Sequence, residues 1–366
     1  MFETDQRRKE FVKIQNYLNR FDPRFLTKKK EENIVKAFEH FKNIDSILTS
    51  YPYRIILEPT NQCNLECSLC STGTKESNRG KGQMSFDHFK NIIDAINPYA
   101  IELYLQNWGE ATLHPKLSKM ISYANEKGLW THLSSNLSLK FSKEKLKEML
   151  IDSGLQILHV AIDGISQSTY EKYRKKGNLN QVIKNLNTVL ELRGQNKLPL
   201  IRASMLANRY NEHEVEQFNE LMLNMGLDEW SVDKLQVNPN SSLEWLPNNQ
   251  ELKYQNYNSS LEKEILPCFR LWSEMVINWD SNLSACCLVD DKNADFENIL
   301  NMAPINLSQI WNNLSYVSAR SFFKDHSNIR PHTICHECKN RVGSKELSYV
   351  GKTFSLKLNS TKLSTL

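Results

Sequence analysis

An α/β fold, a partial, TIM-like (β/α)6 barrel with a small C-terminal cysteine-rich domain, is what the sequence predicts, on three observations. Short apolar strands alternate with amphipathic helices six times between Tyr53 and Val237. Gly128, Gly154, Gly194 and Gly226 stand where a left-handed cap turns a helix end toward the next strand. Past Val237 the rhythm stops, and five of the eight cysteines lie beyond it. Parallel βα units take right-handed crossovers, curl toward a barrel and carry function at the C-terminal ends of their strands. Six units leave such a barrel open.

At 366 residues the chain has room for a large catalytic domain and a satellite. It divides into an N-terminal helical segment (1–52), the barrel (53–237), a linker (238–265), the cysteine-rich domain (266–340) and a tail (341–366). In the first segment Ile34, Val35, Phe38, Phe41, Ile44 and Leu48 share roughly one helical face, so it is expected to pack against the barrel. Strands are expected over 54–57, 101–105, 130–134, 157–162, 200–206 and 230–237. The helices between them repeat apolar residues three and four apart, as in Phe89, Ile92, Ile93, Ile96 and in Val182, Ile183, Leu186, Val189, Leu190. Asn211 and Glu214 have capping-box spacing at a helix start. Asn, Ser and Gln dominate the linker.

Composition narrows the function. Lys plus Arg number 46 against 42 Asp plus Glu, for a net +4 spread along the chain, so no nucleic-acid partner is expected. No run approaches the ~18 apolar residues of a membrane span, and the N-terminus has no signal-like apolar segment. A soluble, cytoplasmic protein without a membrane partner is expected. In a reducing compartment, cysteines grouped at 63–70, 268–287 and 335–338 point to metal ligation over disulfides.

The first group, Cys63-Asn64-Leu65-Glu66-Cys67-Ser68-Leu69-Cys70, follows the first strand and so stands at the barrel mouth. Three close thiols hold three irons of a four-iron cubane and leave the fourth open. Zinc is the competing reading, but zinc sites favour four ligands in CxxC or Cys/His pairs. The CxxxCxxC spacing in this fold context resembles the radical S-adenosylmethionine (radical SAM) superfamily. That resemblance implies a [4Fe–4S] cluster on Cys63, Cys67 and Cys70 with SAM on its open iron. Reductive cleavage of SAM then yields a 5′-deoxyadenosyl radical that abstracts hydrogen from unactivated C–H bonds.

The resemblance also implies SAM-binding residues at successive strand ends. Leu69 takes the place of an often aromatic residue beside the adenine. Gln106-Asn107-Trp108-Gly109-Glu110 looks like the family's Gly-Gly-Glu segment, with Trp108 for the first glycine, and makes Glu110 a ligand of the methionyl ammonium. Ser135 and Asn136, in Ser134-Ser135-Asn136, resemble the segment that meets the SAM carboxylate or ribose, and Asp163-Gly164 the pair found beside SAM or substrate. Polar strand ends are also ordinary turn-formers. Arg202, a charge inside the fifth strand, is expected to reach a carboxylate of SAM or substrate, or else to face the barrel edge and pair with a helix acid.

Downstream, Pro267-Cys268, a strand-like 274–278, the turn Asp280-Ser281-Asn282, Cys286-Cys287 and Cys335-His336-Glu337-Cys338 gather thiols around a hairpin. The arrangement resembles the SPASM/twitch domains of radical SAM enzymes, and five cysteines fit the shorter form with one auxiliary [4Fe–4S] cluster. The register of aminocyclitol dehydrogenases of this type implies Cys268, Cys286, Cys335 and Cys338 as ligands, with Cys287 able to replace Cys286. A four-cysteine zinc site is the alternative.

A fully ligated auxiliary cluster suits electron acceptance, and hence net oxidation. The expected reaction is dehydrogenation of a sugar, aminocyclitol or similar small polar metabolite, because no strand-containing peptide-recognition unit precedes the barrel. The alternatives are modification of a ribosomal peptide or protein side chain, epimerisation with Cys287 as hydrogen donor, and a non-enzymatic iron–sulfur electron-transfer or scaffold protein. A low-potential electron donor such as flavodoxin or ferredoxin is the expected protein partner.

Overall fold

β-branched and leucine-rich runs fold into strands close to the places their periodicity marks. They are β1 (Arg54–Leu57), β2 (Glu102–Leu105), β3 (Trp130–Ser135), β4 (Ile157–Ala161), β5 (Leu200–Ala207) and β6 (Glu229–Lys234). The computed structural model describes residues 14–235, 242–253, 267–325 and 331–338. The expected end of the sixth strand, much of the linker and the tail lie outside the described residues.

The six strands pair in parallel in chain order, and three more join them, giving the sheet order β6-β5-β4-β3-β2-β1-β7-β8-β9. Here β7 (Glu274–Ile277) runs parallel to β1, while β8 (Asn282–Ser284) and β9 (Glu297–Asn298) return antiparallel. The cysteine-rich region therefore continues the barrel sheet across its β1 edge. Its hairpin is built on β7 and β8, with β7 packed into the same core.

Helices cross between the strands, several of them opened by a hydroxyl or amide N-cap. Ser85, Ser142, Ser166 and Asn178 each accept a backbone N–H from the first turn. Their apolar faces meet alternate strand residues such as Ile55, Leu103, Leu133, Leu158, Ile201 and Met205, all fully buried. The four glycines at the helix ends all have positive φ, from 57° to 77°. The Asn211–Glu214 pair does not form a capping box. Asn211 makes no side-chain cap bond, and Glu214 instead receives Ile165 N–H at 2.7 Å and Ser166 Oγ at 3.0 Å from the loop after β4. A tertiary partner has displaced the local one.

The other sheet face encloses a polar lumen. At its floor Arg54, Glu102, Tyr104 and His132 form one buried network. Arg54 Nε lies 3.2 Å from Glu102, His132 Nε2 lies 3.3 Å from Glu102, and Tyr104 stacks on His132 with centroids 4.1 Å apart. The N-terminal segment closes this end. Tyr17, Phe21 and Phe25 pack with Tyr53 and Trp130, and Tyr17 donates to Glu102 at 2.6 Å. Among the described residues this closes the floor and leaves the C-terminal mouth for a ligand.

Candidate active site

The loop after β1 is held from both sides before it reaches the first thiol. Thr60 Oγ1 donates to Gly82 O at 2.6 Å and Asn61 Nδ2 to Gly80 O at 2.8 Å, while Glu110 N–H reaches Gln62 O at 2.8 Å. Gly109 makes this approach sterically feasible, because a Cβ there would stand 1.9 Å from Thr60 O. The cysteine loop then borrows backbone partners from the segment after helix Gln167–Tyr173. Glu66 N–H bonds Lys175 O and Ser68 N–H bonds Tyr173 O, both at 3.1 Å.

Cys63, Cys67 and Cys70 lie within electrostatic reach of one another, and Glu110 acts on Cys63. Burial pushes the Cys63 thiol up to about 12 and the Cys67 thiol up to about 11. Leu65 N–H points at Cys63 Sγ at 3.4 Å, with Asn136 Nδ2 4.0 Å away. Arg174 Nη1 stands 3.9 Å from Cys67 Sγ. Leu69, inside the loop, is half-buried.

Glu110, Ser135 and Asn136 come together. The buried Glu110 carboxylate accepts Thr112 Oγ1 at 2.6 Å and Ser135 Oγ at 2.8 Å on Oε1, and Asn136 N–H at 2.8 Å on Oε2. Asn136 also donates to Asn64 Oδ1 at 3.0 Å, tying this hub to the cysteine loop. Asp163 is buried at the end of β4, where its Oδ1 takes Leu206 N–H at 2.7 Å and its Oδ2 takes Arg174 Nε at 2.5 Å. Arg202 lies apart from this group. It sits lower in the lumen, its guanidinium ion-paired to Glu229 of the neighbouring strand.

The second set assembles around the start of β7 and the end of β8. Cys335 is in electrostatic reach of Cys286, Cys268 and Cys338. Burial raises the thiol pKa of Cys286 to about 12 and raises that of Cys268. The adjacent Cys287 is turned to Arg270, whose Nη1 lies 3.3 Å from its Sγ. A buried arginine clamps the two regions together. Arg79 Nη1 meets both Asp280 oxygens at 3.0 Å and Nη2 both Asp295 oxygens at 2.8 Å. Ser71 Oγ adds a bond to Asp290 at 2.5 Å.

Both thiol sets suit an iron–sulfur cluster. All eight cysteines are free of disulfides, and backbone or cationic N–H groups approach sulfur in each region. Among the described residues no group of three His, Cys, Asp or Glu side chains is gathered closely enough to hold a single metal ion.

Sequence reading missed Arg174, Arg79, Glu58 and Asp233. Glu58, at the end of β1, is sealed between Trp108 N–H at 2.9 Å and Trp279 N–H at 3.3 Å; burial raises its pKa to about 7. The spacing of Asp163 and Arg174 across one short helix was the available signal for the first of these. Arg79 and Glu58 find partners far along the chain, Asp233 keeps an oxygen without one, and none of the three leaves a local trace.

The sequence matches the Radical SAM superfamily over residues 57–222 and the SPASM iron–sulfur cluster-binding domain over residues 268–339. It is 26% identical over 242 residues, 62% of this chain and 66% of the relative, to the tungsten-containing aldehyde ferredoxin oxidoreductase cofactor-modifying protein of Pyrococcus furiosus. It is 25% identical over 185 residues, 50% of this chain and 47% of the relative, to the PqqA peptide cyclase of Bradyrhizobium diazoefficiens. The chain thus spans between about half and two-thirds of the length of these curated relatives. Streptococcus suis SuiB shares the fold with a TM-score of 0.60 at 14% identity, covering 80% of this chain and 72% of SuiB. Among the described residues no helix is long and apolar enough to cross a membrane.

Proposed function

Because the chain is a member of the radical SAM superfamily with a SPASM-type C-terminal domain, and so an enzyme of SAM and iron–sulfur clusters, we propose that it carries out a two-electron oxidation of a polar substrate. The observation that carries this reading is the pair of thiol sets held on one sheet and clamped by Arg79. When bound, the groups supply a carbon radical that removes hydrogen from the substrate at the first set and a sink for one electron at the second.

The chain's own residues hold and orient. Cys63, Cys67 and Cys70 would ligate the first cluster, and Cys268, Cys286, Cys335 and Cys338 the auxiliary one, with Cys287 left to Arg270. Glu110 presents a buried carboxylate whose Oε2 takes a single backbone N–H, and it receives the SAM ammonium. Ser135 and Asn136 fix that carboxylate, with Asn136 reaching the cysteine loop. Arg174, anchored through Nε by Asp163, keeps donors beside Cys67 for the SAM carboxylate. Arg202 is spent on Glu229 and is assigned to the lumen wall. Leu69 covers the adenine.

The favoured substrate is a sugar, aminocyclitol or related small polar metabolite, supported by the polar lumen. Modification of a peptide or protein side chain is the second reading, supported by the match to PqqA peptide cyclase. The electron donor proposed is a flavodoxin or ferredoxin. Anaerobically reconstituted enzyme with dithionite and SAM is expected to form 5′-deoxyadenosine. Cys67→Ala should abolish it and leave the absorbance of the C-terminal cluster. SAM cleavage by that variant would sink the assignment of the first set, and four irons with one zinc per chain would sink that of the second. Deuterium carried into 5′-deoxyadenosine from a labelled sugar or from a labelled peptide decides between the substrates.

A further inference from the structure

We propose that the lumenal wall formed by β4, β5 and β6 is the substrate-recognition surface, and that Asp233 accepts an amino group of the substrate there. The inference rests on the radical SAM reading for the position of the chemistry and goes beyond it in naming what the lumen binds.

The first argument is the shape of the wall. On β4 and β5 the outward Val160, Ala203 and Met205 are sealed, whereas the lumenal His159, Ala161 and Arg202 keep accessible surface; on the edge strand β6 both faces do, with Ser231 and Asp233 on the lumenal one. With the floor closed by Tyr17, Phe21 and Phe25, that surface lies on the concave side of the sheet, on the mouth side of the floor. Polar groups converging on a concave surface are what orient a small ligand.

The second argument is charge. Among the described residues, two other charged side chains near this wall have partners: Arg202 has Glu229, and Asp163 has Arg174. His159, in contact with Ser204 Oγ at 2.9 Å, is kept neutral by burial and by the nearby Arg202 and Arg174. Asp233 has no ion pair among the described residues. The hydroxyls of Ser231 and Ser204 lie against its carboxylate, yet its Oδ1 is buried with no hydrogen-bond partner. A carboxylate oxygen withdrawn from water without a partner is costly unless a ligand completes it. An ammonium satisfies both the lone pairs and the charge, which a hydroxyl does only in part and an anion not at all.

The experiment uses the full chain with both clusters loaded and SAM present, with D-glucosamine as probe and D-gluconate as its anionic counterpart, read by calorimetry. Glucosamine is expected to bind and gluconate not to. Asp233→Asn should weaken glucosamine at least about tenfold, as for loss of a charge-assisted hydrogen bond, while the affinity for SAM stays within about twofold. Ser231→Ala, which removes one orienting hydroxyl and spares the carboxylate, should weaken the probe by less. Equal binding of the two probes, no binding of glucosamine, or loss of SAM affinity in Asp233→Asn would each overturn the proposal, the last by assigning Asp233 to SAM. Failure of the wild type to form 5′-deoxyadenosine counts against the radical reading alone, since probe binding needs no SAM cleavage.

Discussion

Arg174 reaches the thiols by a route whose one local mark is its spacing from Asp163 across a short helix. Its guanidinium crosses from the end of helix Gln167–Tyr173 to Asp163 and Cys67; burial works against its charge, and Asp163 and Cys67 outweigh that and hold it charged. Arg174→Gln is expected to weaken SAM binding about 10- to 100-fold, the worth of hydrogen bonds to a charged group of ~1.5–3 kcal/mol. A SAM titration of the reduced enzyme by electron paramagnetic resonance measures this, and an unchanged affinity refutes the role. His159 makes a different kind of contribution. Burial, then Arg202 and Arg174, lower its pKa from 6.5 to about 4. Between these values the unfolded chain binds a proton that the folded chain refuses, so stability is complete above pH 6.5 and falls as the pH drops toward 4. The loss amounts to about 3 kcal/mol. Urea unfolding at a series of pH values should show that slope in the wild type and a flatter one in His159→Gln.

At the scale of elements, each functional group depends on how tightly one loop lies on the next. Gly109 is the sharpest case, since its neighbours are backbone atoms of the β1 loop and cannot yield as a flexible side chain does. Gly109→Ala should cost about 1–3 kcal/mol of overpacking and, by pushing the loop that carries Cys63, lower the iron content of the purified protein. Gly80→Ala is the control, because a Cβ there meets nothing within 4 Å. Iron per chain measured on both variants separates a steric effect from a general one. The segment Lys143–Asp152 illustrates a subtler point: its apolar spacing at Leu146, Met149 and Leu150 is helical, but the helix widens into a π turn at Lys147–Asp152. The periodicity marks a buried helical face without specifying its hydrogen-bond pitch.

Over the whole molecule, the nine-stranded sheet makes the radical site and the auxiliary site parts of one body. The link is short-range and polar. Arg79 is almost fully buried against two carboxylates. Arg79→Gln would strand both of them, at a cost of about 3–5 kcal/mol. The expected outcome is a lower unfolding midpoint together with loss of iron from the C-terminal set, read by calorimetry and metal analysis. A variant as stable as the wild type would remove the clamp from the account.

What the sequence by itself determined was local in character. Strand positions came within a few residues, the helix faces came out buried, and the glycines came out at positive φ, because periodicity and backbone sterics act between residues close in the chain. The grouping of Cys63, Cys67 and Cys70 was legible for the same reason: seven residues of spacing around a strand end leave little freedom. The tertiary structure alone decided the rest. It joined β7 to β1, turned Cys287 toward Arg270, gave Glu214 to the β4 loop instead of a capping box, and brought Arg174 and Asp233 to the lumen and its mouth. These are pairings between residues from 11 to about 220 positions apart, selected by burial and charge compensation in a shared low-dielectric space. No short window of sequence records which partner a buried charge will find.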